Sequence, residues 1–120
     1  MARKPIQKVR KKINSRNKGK CGELELVNFL KERGIEARRG QQYEGSSDSP
    51  DVIAGGCVAG IHFEVKRVQA GNPYNWHHQA CTDADLCKIP VVAHRKNNKP
   101  WLAILDMRDF INIMEKAHGR

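Results

Sequence analysis

The sequence predicts an α/β fold, a mixed β-sheet flanked by helices with an αβββαβ core. Three observations predict it. Helical stretches stand near both ends and in the middle of the chain, short β-like runs lie between them, and one strand–helix–strand passage from Glu64 to Val91 calls for a right-handed crossover. At 120 residues the chain is expected to form one domain with a modest core.

The elements follow in order. Residues 1–17 read as a flexible basic arm without periodicity. The first helix spans Lys18–Arg33 and stops at Gly34, a residue suited to a C-terminal cap. Ile35–Arg39 is a short strand, and Gly40–Ser49 is a polar, glycine-containing loop. Asp51–Ala54 is a strand whose preceding Pro50 suits a strand start, and Gly55-Gly56 begins a turn. Val58–Val68 alternates as a longer strand. Gly71-Asn72-Pro73 leads to a helix over Tyr74–Lys88, which Pro90 closes. Val91–His94 and Trp101–Leu105 are the last strands, joined by a turn at Asn97-Asn98-Lys99. Asp106 caps a terminal helix with apolar Met107, Phe110, Ile111 and Met114. That stripe suits a core face and a dimer surface equally well.

Charge is unevenly placed. The chain carries a net +9, and Met1–Lys20 holds nine of its 22 Lys and Arg and no acid. The remaining 13 bases face 13 acids, so the arm sets the pI of 9.7. Such an arm suits a polyanion through phosphate neutralisation and counterion release; the bland reading is a solubilising tail. No apolar run approaches the ~20 residues of a membrane span, and no hydrophobic segment follows the basic N-terminus. Cys21, Cys57, Cys81 and Cys87 fit neither a C-x-x-C motif nor finger spacing. The expectation is a cytoplasmic chain of a bacterial or phage-infected cell, with reduced and mostly buried thiols. A zinc site from Cys81, Cys87 and His77 or His78 is the disfavoured alternative, and His77-His78 carry no assigned role.

The chemistry-bearing residues are Asp51, in Ser49-Pro50-Asp51-Val52-Ile53, and Glu64 and Lys66, in Phe63-Glu64-Val65-Lys66. Alternation turns Ile61, Phe63 and Val65 to the core and His62, Glu64 and Lys66 to the other face, with Glu64 and Lys66 about 7 Å apart. An exposed Glu–Lys pair is common, but a crossover usually covers this face. If the two strands pair, Asp51 meets Glu64, and two carboxylates suit Mg2+. Taken alone, Asp51 reads as a turn-capping aspartate rather than a ligand. Glu23 lies within about 60° of Leu26, Val27 and Leu30 on its helix, whereas Glu25 and Glu32 lie opposite. A carboxylate in an apolar stripe is costly unless paired or on a metal. The structural alternative is a first-turn acid favoured by the helix dipole. Gly22 beside it allows close packing of backbone or DNA. Two carboxylates, an amine and a basic chain point to a metal-dependent nuclease.

Lys18-Gly19-Lys20-Cys21-Gly22-Glu23-Leu24-Glu25-Leu26-Val27, Ser49-Pro50-Asp51-Val52-Ile53-Ala54 and Glu64-Val65-Lys66 resemble the PD-(D/E)XK nuclease superfamily. Within it, the likeness is to archaeal-type Holliday junction resolvases and their phage-encoded relatives, over residues 18–110. The resemblance implies a restriction-endonuclease-like fold, Mg2+ or Mn2+ dependence, and cleavage of branched DNA by a homodimer. It makes Asp51 and Glu64 metal ligands, with the Val65 carbonyl and Glu23 as further contacts, and Lys66 the residue that steers the attacking water. Lys18, Lys20, Arg38, Arg39 and Arg67 are expected to hold the DNA backbone. Gln79 either matches a glutamine near such active sites or is a surface amide. One departure is the segment before Pro50-Asp51, which carries Glu44 and Asp48 where basic residues are usual. The rivals are a general or nicking nuclease of the same fold and a non-catalytic DNA-binding accessory protein.

Overall fold

The computed structural model describes residues 15–40 and 50–119, with side chains from residue 19 onward. Most of the expected basic arm, the loop over 41–49 with its two acids, and the Lys18 side chain lie outside the described residues. Helix α1 spans Ser15–Glu32, so it starts ahead of the expected Lys18 and takes in the end of the expected arm. It closes as the sequence suggests. Gly34 takes φ 81°, its N–H donates to the Lys31 carbonyl, and the Ile35 N–H donates to the Leu30 carbonyl, a Schellman cap.

Five strands follow in one mixed sheet of order β1-β2-β3-β4-β5: β1 Ala37–Arg39, β2 Val52–Ala54, β3 Ile61–Lys66, β4 Ile89–His94 and β5 Leu102–Ile104. The β3–β4 pair is parallel, with Lys66 beside His94, and the other three pairs are antiparallel. Every strand but β4 is shorter than expected. Gly56–Val58 forms a 3-10 turn, so β3 begins only at Ile61.

Helix α2, Pro73–Asp83, makes the crossover between β3 and β4. The Asn72 side chain caps it by accepting from the Tyr74 and Asn75 N–H groups, and Pro73 occupies the first turn. It ends at Asp83, short of the expected Lys88. Parallel pairing must return Ile89 to Ile61, and the chain uses 84–88 for that return, with Leu86 fully exposed. Pro90 therefore lies within β4 rather than closing the helix. Ile89 donates to the Gly60 carbonyl, so the proline nitrogen faces away from β3, and β5 pairs β4 only from Val92 onward. No ladder bond is lost. Helix α3, Met107–Ala117, is capped by Asp106, whose side chain accepts from the Arg108 N–H.

The core lies between α1 and one sheet face: Leu26, Val27 and Leu30 pack with Val52, Phe63, Val91 and Ala93. This is the face the alternation of β3 assigns to Phe63 and Val65. Helix α2 covers the other face, where His62, Glu64 and Val92 are buried along with Ala80 of α2. All four thiols are exposed, against expectation, because none of them falls on the core face of α1 or of a strand.

Gly40 and Gly19 give opposite predictions. The Gly40 N–H donates to the Asp51 carbonyl at 2.9 Å, and a Cβ there would collide with the Pro50 carbonyl. Gly40→Ala should cost roughly 1–3 kcal/mol in a denaturant titration. A Cβ at Gly19 meets nothing, so Gly19→Ala in the exposed part of α1 should gain up to about 1 kcal/mol.

Candidate active site

The sheet splits between β2 and β3, and the candidate residues gather there. Backbone pairing of the two strands is confined to Val52 and Phe63, with the Asp51 N–H donating to the Phe63 carbonyl at 2.9 Å. Two residues on, the Val65 N–H points to the same side, where β2 has departed. It donates to Asp51 Oδ2 at 2.8 Å. The Asp51 side chain thus supplies the next rung of the ladder. Backbone bonds from Asp51 N to Phe63 and from Gly40 to Asp51 O hold it from both neighbouring strands. The N–H and C=O of one strand residue face the same way, so the Val65 carbonyl opens toward Asp51 as well.

Glu64 is 7% exposed. Burial, and next the Asp51 charge, raise its pKa to about 7, only partly offset by Lys66. The Lys66 Nζ stands 3.8 Å from Glu64 Oε2, an ion-pair distance rather than a hydrogen bond. Glu23 also bears electrostatically on Glu64, so the four residues the sequence singled out do share one region. Glu23, however, is paired with Arg39, Oε1 to Nε at 2.9 Å. Among the described residues no three His, Cys, Asp or Glu side chains are arranged to hold a metal ion. The candidate oxygen donors at the split are the Asp51 and Glu64 carboxylates and the Val65 carbonyl, with Glu23 turned to its arginine. On α2, Cys81 Sγ lies 3.5 Å from His77 Nε2.

The residues expected to contact DNA occupy different environments. Lys20, Arg38 and Gln79 are exposed on α1, β1 and α2. Arg39 and Arg67 are tied down internally. Arg67 Nε donates to Glu25 Oε1 at 2.6 Å and its Nη1 to Asn97 Oδ1 at 3.1 Å, while Arg95 Nη1 reaches Glu25 Oε2 at 3.3 Å. Gly22 permits this: its Cα faces the Arg67 side chain so closely that a Cβ would come within 2.7 Å of Arg67 Cβ. Glu25 was expected only to lie opposite Glu23. Carrying the alternation of β3 one residue further, to Arg67, puts that base on the α1 side and would have found the pair.

His62 is a second residue without a sequence-assigned role. It lies beside Glu64 on the α2 face, 2% exposed, with Nε2 lacking a hydrogen-bond partner among the described residues. Burial lowers its pKa, so the imidazole is neutral near pH 7.

No helix among the described residues is long and apolar enough to cross a membrane. No curated protein matches the chain. The family model described as archaeal Holliday junction resolvase (Hjc) matches residues 14–118, from the start of α1 to the end of α3. With that match spanning nearly the whole chain and the sheet, helices and split of strands in place, the chain belongs to the archaeal Holliday junction resolvase family of the PD-(D/E)XK nuclease superfamily.

Proposed function

We propose that this protein is a divalent-metal-dependent endonuclease that resolves four-way DNA junctions as a homodimer, in the cytoplasm of a bacterial or phage-infected cell. Family membership supports the reaction class. The observation that carries the site assignment is the Val65 N–H bond to Asp51, which fixes that carboxylate beside Glu64.

The donor set fits a hard cation that keeps some of its water, as Mg2+ does, and Mn2+ accepts the same ligands. Asp51, Glu64 and the Val65 carbonyl would hold it, and Glu23 would join only through water or on release from Arg39. When bound, the ion supplies Lewis-acid polarisation of the phosphoryl group and a more acidic attacking water. The protein's own residues do the rest. Glu64 gives up its proton on cation binding, because opposite charge favours the ionised form. The Lys66 ammonium orients the water and donates to the phosphate oxygens, where charge grows in the transition state. The basic arm, Lys20 and Arg38 bring the backbone in. Phosphate contacts carry no sequence information, which suits selection by junction shape.

Two strands must be cut, and a two-fold dimer supplies two sites. The apolar face of α3 is the surface we assign to it. Met107, Phe110, Ile111 and Met114 are all 40% or more exposed on that one helix, instead of joining the core.

On a synthetic four-way junction with Mg2+, the protein should make symmetrical paired nicks and leave linear duplex and flaps largely uncut. Asp51→Asn, Glu64→Gln and Lys66→Ala should each slow cleavage on the order of 10²–10³-fold with binding retained. Equal cutting of every substrate would favour a general nuclease. Binding without any cutting, unchanged by Asp51→Asn, would make it an accessory protein.

Without divalent ions, Glu64 should weaken the fold as pH rises. Its folded pKa lies above the ordinary value, so its ionisation is disfavoured and stability falls between about pH 4.5 and 7. Glu64→Gln should therefore stabilise the metal-free protein at pH 8 by about 2 kcal/mol, roughly 10 °C in Tm, and have little effect near pH 4. Mg2+ at pH 8 should raise the wild-type Tm more than that of the variant. Equal Tm gains from Mg2+ would show that Glu64 holds no cation.

Sedimentation equilibrium should give a dimer for the wild type. Phe110→Glu with Met114→Glu should give a folded monomer that nicks single strands without pairing the cuts. A wild-type monomer at assay concentrations would remove the dimer from the proposal.

A further inference from the structure

A second cleft lies at the end of β3, across the sheet from Lys66, lined by Gly22 and Glu25 of α1, Arg67, Gln69 and Asn97. The hydrogen bonds inside it fix which way its amides face. The Asn97 backbone N–H donates to Gln69 Oε1 at 2.7 Å, and Arg67 Nη1 donates to Asn97 Oδ1 at 3.1 Å. Both partners are donors only, so each amide must present its oxygen to them, and each NH2 group is left for something else. Arg67 and Arg95 share the single carboxylate of Glu25, so the trio keeps one positive charge. Exposed Lys96 and Lys99, on the turn that carries Asn97, add two more.

The cleft thus offers two amide NH2 groups and a guanidinium, with a net positive charge and no uncommitted acceptor among these side chains. That is the chemistry of an oxyanion site, and an arginine fork suits phosphate. Its place says which phosphate. Lys66 and Arg67 are consecutive and point to opposite faces of the strand end. A DNA strand held at Lys66 and running on over this end of the sheet would bring its neighbouring phosphates to the cleft. We propose that the cleft formed by Arg67, Gln69 and Asn97 seats a DNA backbone phosphate that flanks the one being cut. This rests on the nuclease reading above and adds a binding site to it. Glu25 positions the two guanidiniums and does not itself touch the phosphate.

Two near-isosteric substitutions isolate the donors. Gln69→Glu and Asn97→Asp keep the oxygens that accept from Asn97 N and Arg67, so the internal bonds survive, but each replaces an NH2 donor by a carboxylate oxygen. Binding of the full-length chain to a four-way junction is measured in EDTA, using junctions with a single neutral methylphosphonate at successive backbone positions. Each variant should bind the unmodified junction about tenfold more weakly than wild type. One methylphosphonate beside the cleavage point should weaken the wild type by a similar factor and leave the variants unaffected. That coupling decides the matter even if a variant's Tm falls, since a general loss of folding weakens binding to every substrate alike. Variants that bind like wild type, or a scan with no position coupled to Gln69 and Asn97, would overturn the proposal while junction cleavage leaves the nuclease reading standing. A wild-type protein that binds and cuts no DNA at all would overturn both.

Discussion

The hydrogen bond from Val65 N–H to the Asp51 carboxylate is the constraint on which the site depends. Two strands that part must leave backbone groups behind, and a half-buried N–H without a partner costs about 1–3 kcal/mol. Completing the ladder with backbone would have closed the split and shut the site. Completing it with a carboxylate satisfies the donor, keeps the strands apart and anchors one acid at the opening. The neighbouring constraint follows from it. Asp51 can reach Val65 only if Pro50 and Asp51 run close beside β1, which is why position 40 has no room for a side chain. A glycine that looks like loop chemistry therefore belongs to the frame of the candidate site.

Helix α1 organises the charge around that split. Glu23 and Glu25 are two residues apart, about 200° around the helix, and so lean to opposite sides. Each takes an arginine from a different strand end, Arg39 from β1 and Arg67 from beyond β3. These pairs are partly exposed, and pairs of that kind add little to stability, about 0–1 kcal/mol each. Their effect is geometric. A guanidinium held by one carboxylate keeps its remaining N–H groups in a fixed plane, ready for a second anion. The acids of α1 thus do not cancel the basic surface; they orient it.

The outline of the fold was legible because it rests on signals that survive without tertiary knowledge. Alternation through Ile61–Lys66 put Phe63 and Glu64 on opposite faces, and Gly34 marked the end of α1. The sequence erred where register or crossover geometry overrides local pattern. Leu86 extends an apolar pattern that α2 does not use, because Ile89 has to return to Ile61. Pro90 looks like a breaker but sits where the parallel ladder asks for no donor. The candidate site was half legible. Asp51, Glu64 and Lys66 could be named from their types and spacing, and Glu23 from its place in an apolar stripe. Its partner Arg39, and Arg95 as the third member of the Glu25 cluster, could not, because ion pairs between a helix and strand ends leave no periodic trace; the Glu25–Arg67 pair needed only the alternation of β3 carried one residue on. The exposed cysteines and the unburied face of α3 were missed or left open for a related reason: a pattern shows which residues share a face, not whether anything covers it.

The composition of the core ties stability to the proposed assembly. Glu64 is buried near the Asp51 charge, which burdens the metal-free fold, and His62 adds a buried ring nitrogen without a partner among the described residues. Against this, the buried apolar side chains among the described residues are few and include none larger than Phe63. A domain of this size buries a smaller share of its surface than a large one does and has little margin for such groups. The face of α3 that the monomer leaves uncovered is apolar surface of the kind that stabilises when buried, at about 25 cal/mol per Å2. Pairing two such faces in the proposed dimer would offset the cost of the candidate-site carboxylates from outside the domain that carries them. On that argument a second subunit would serve for more than a second cut: it would let a short chain keep a charged, half-buried candidate site intact before any cation arrives.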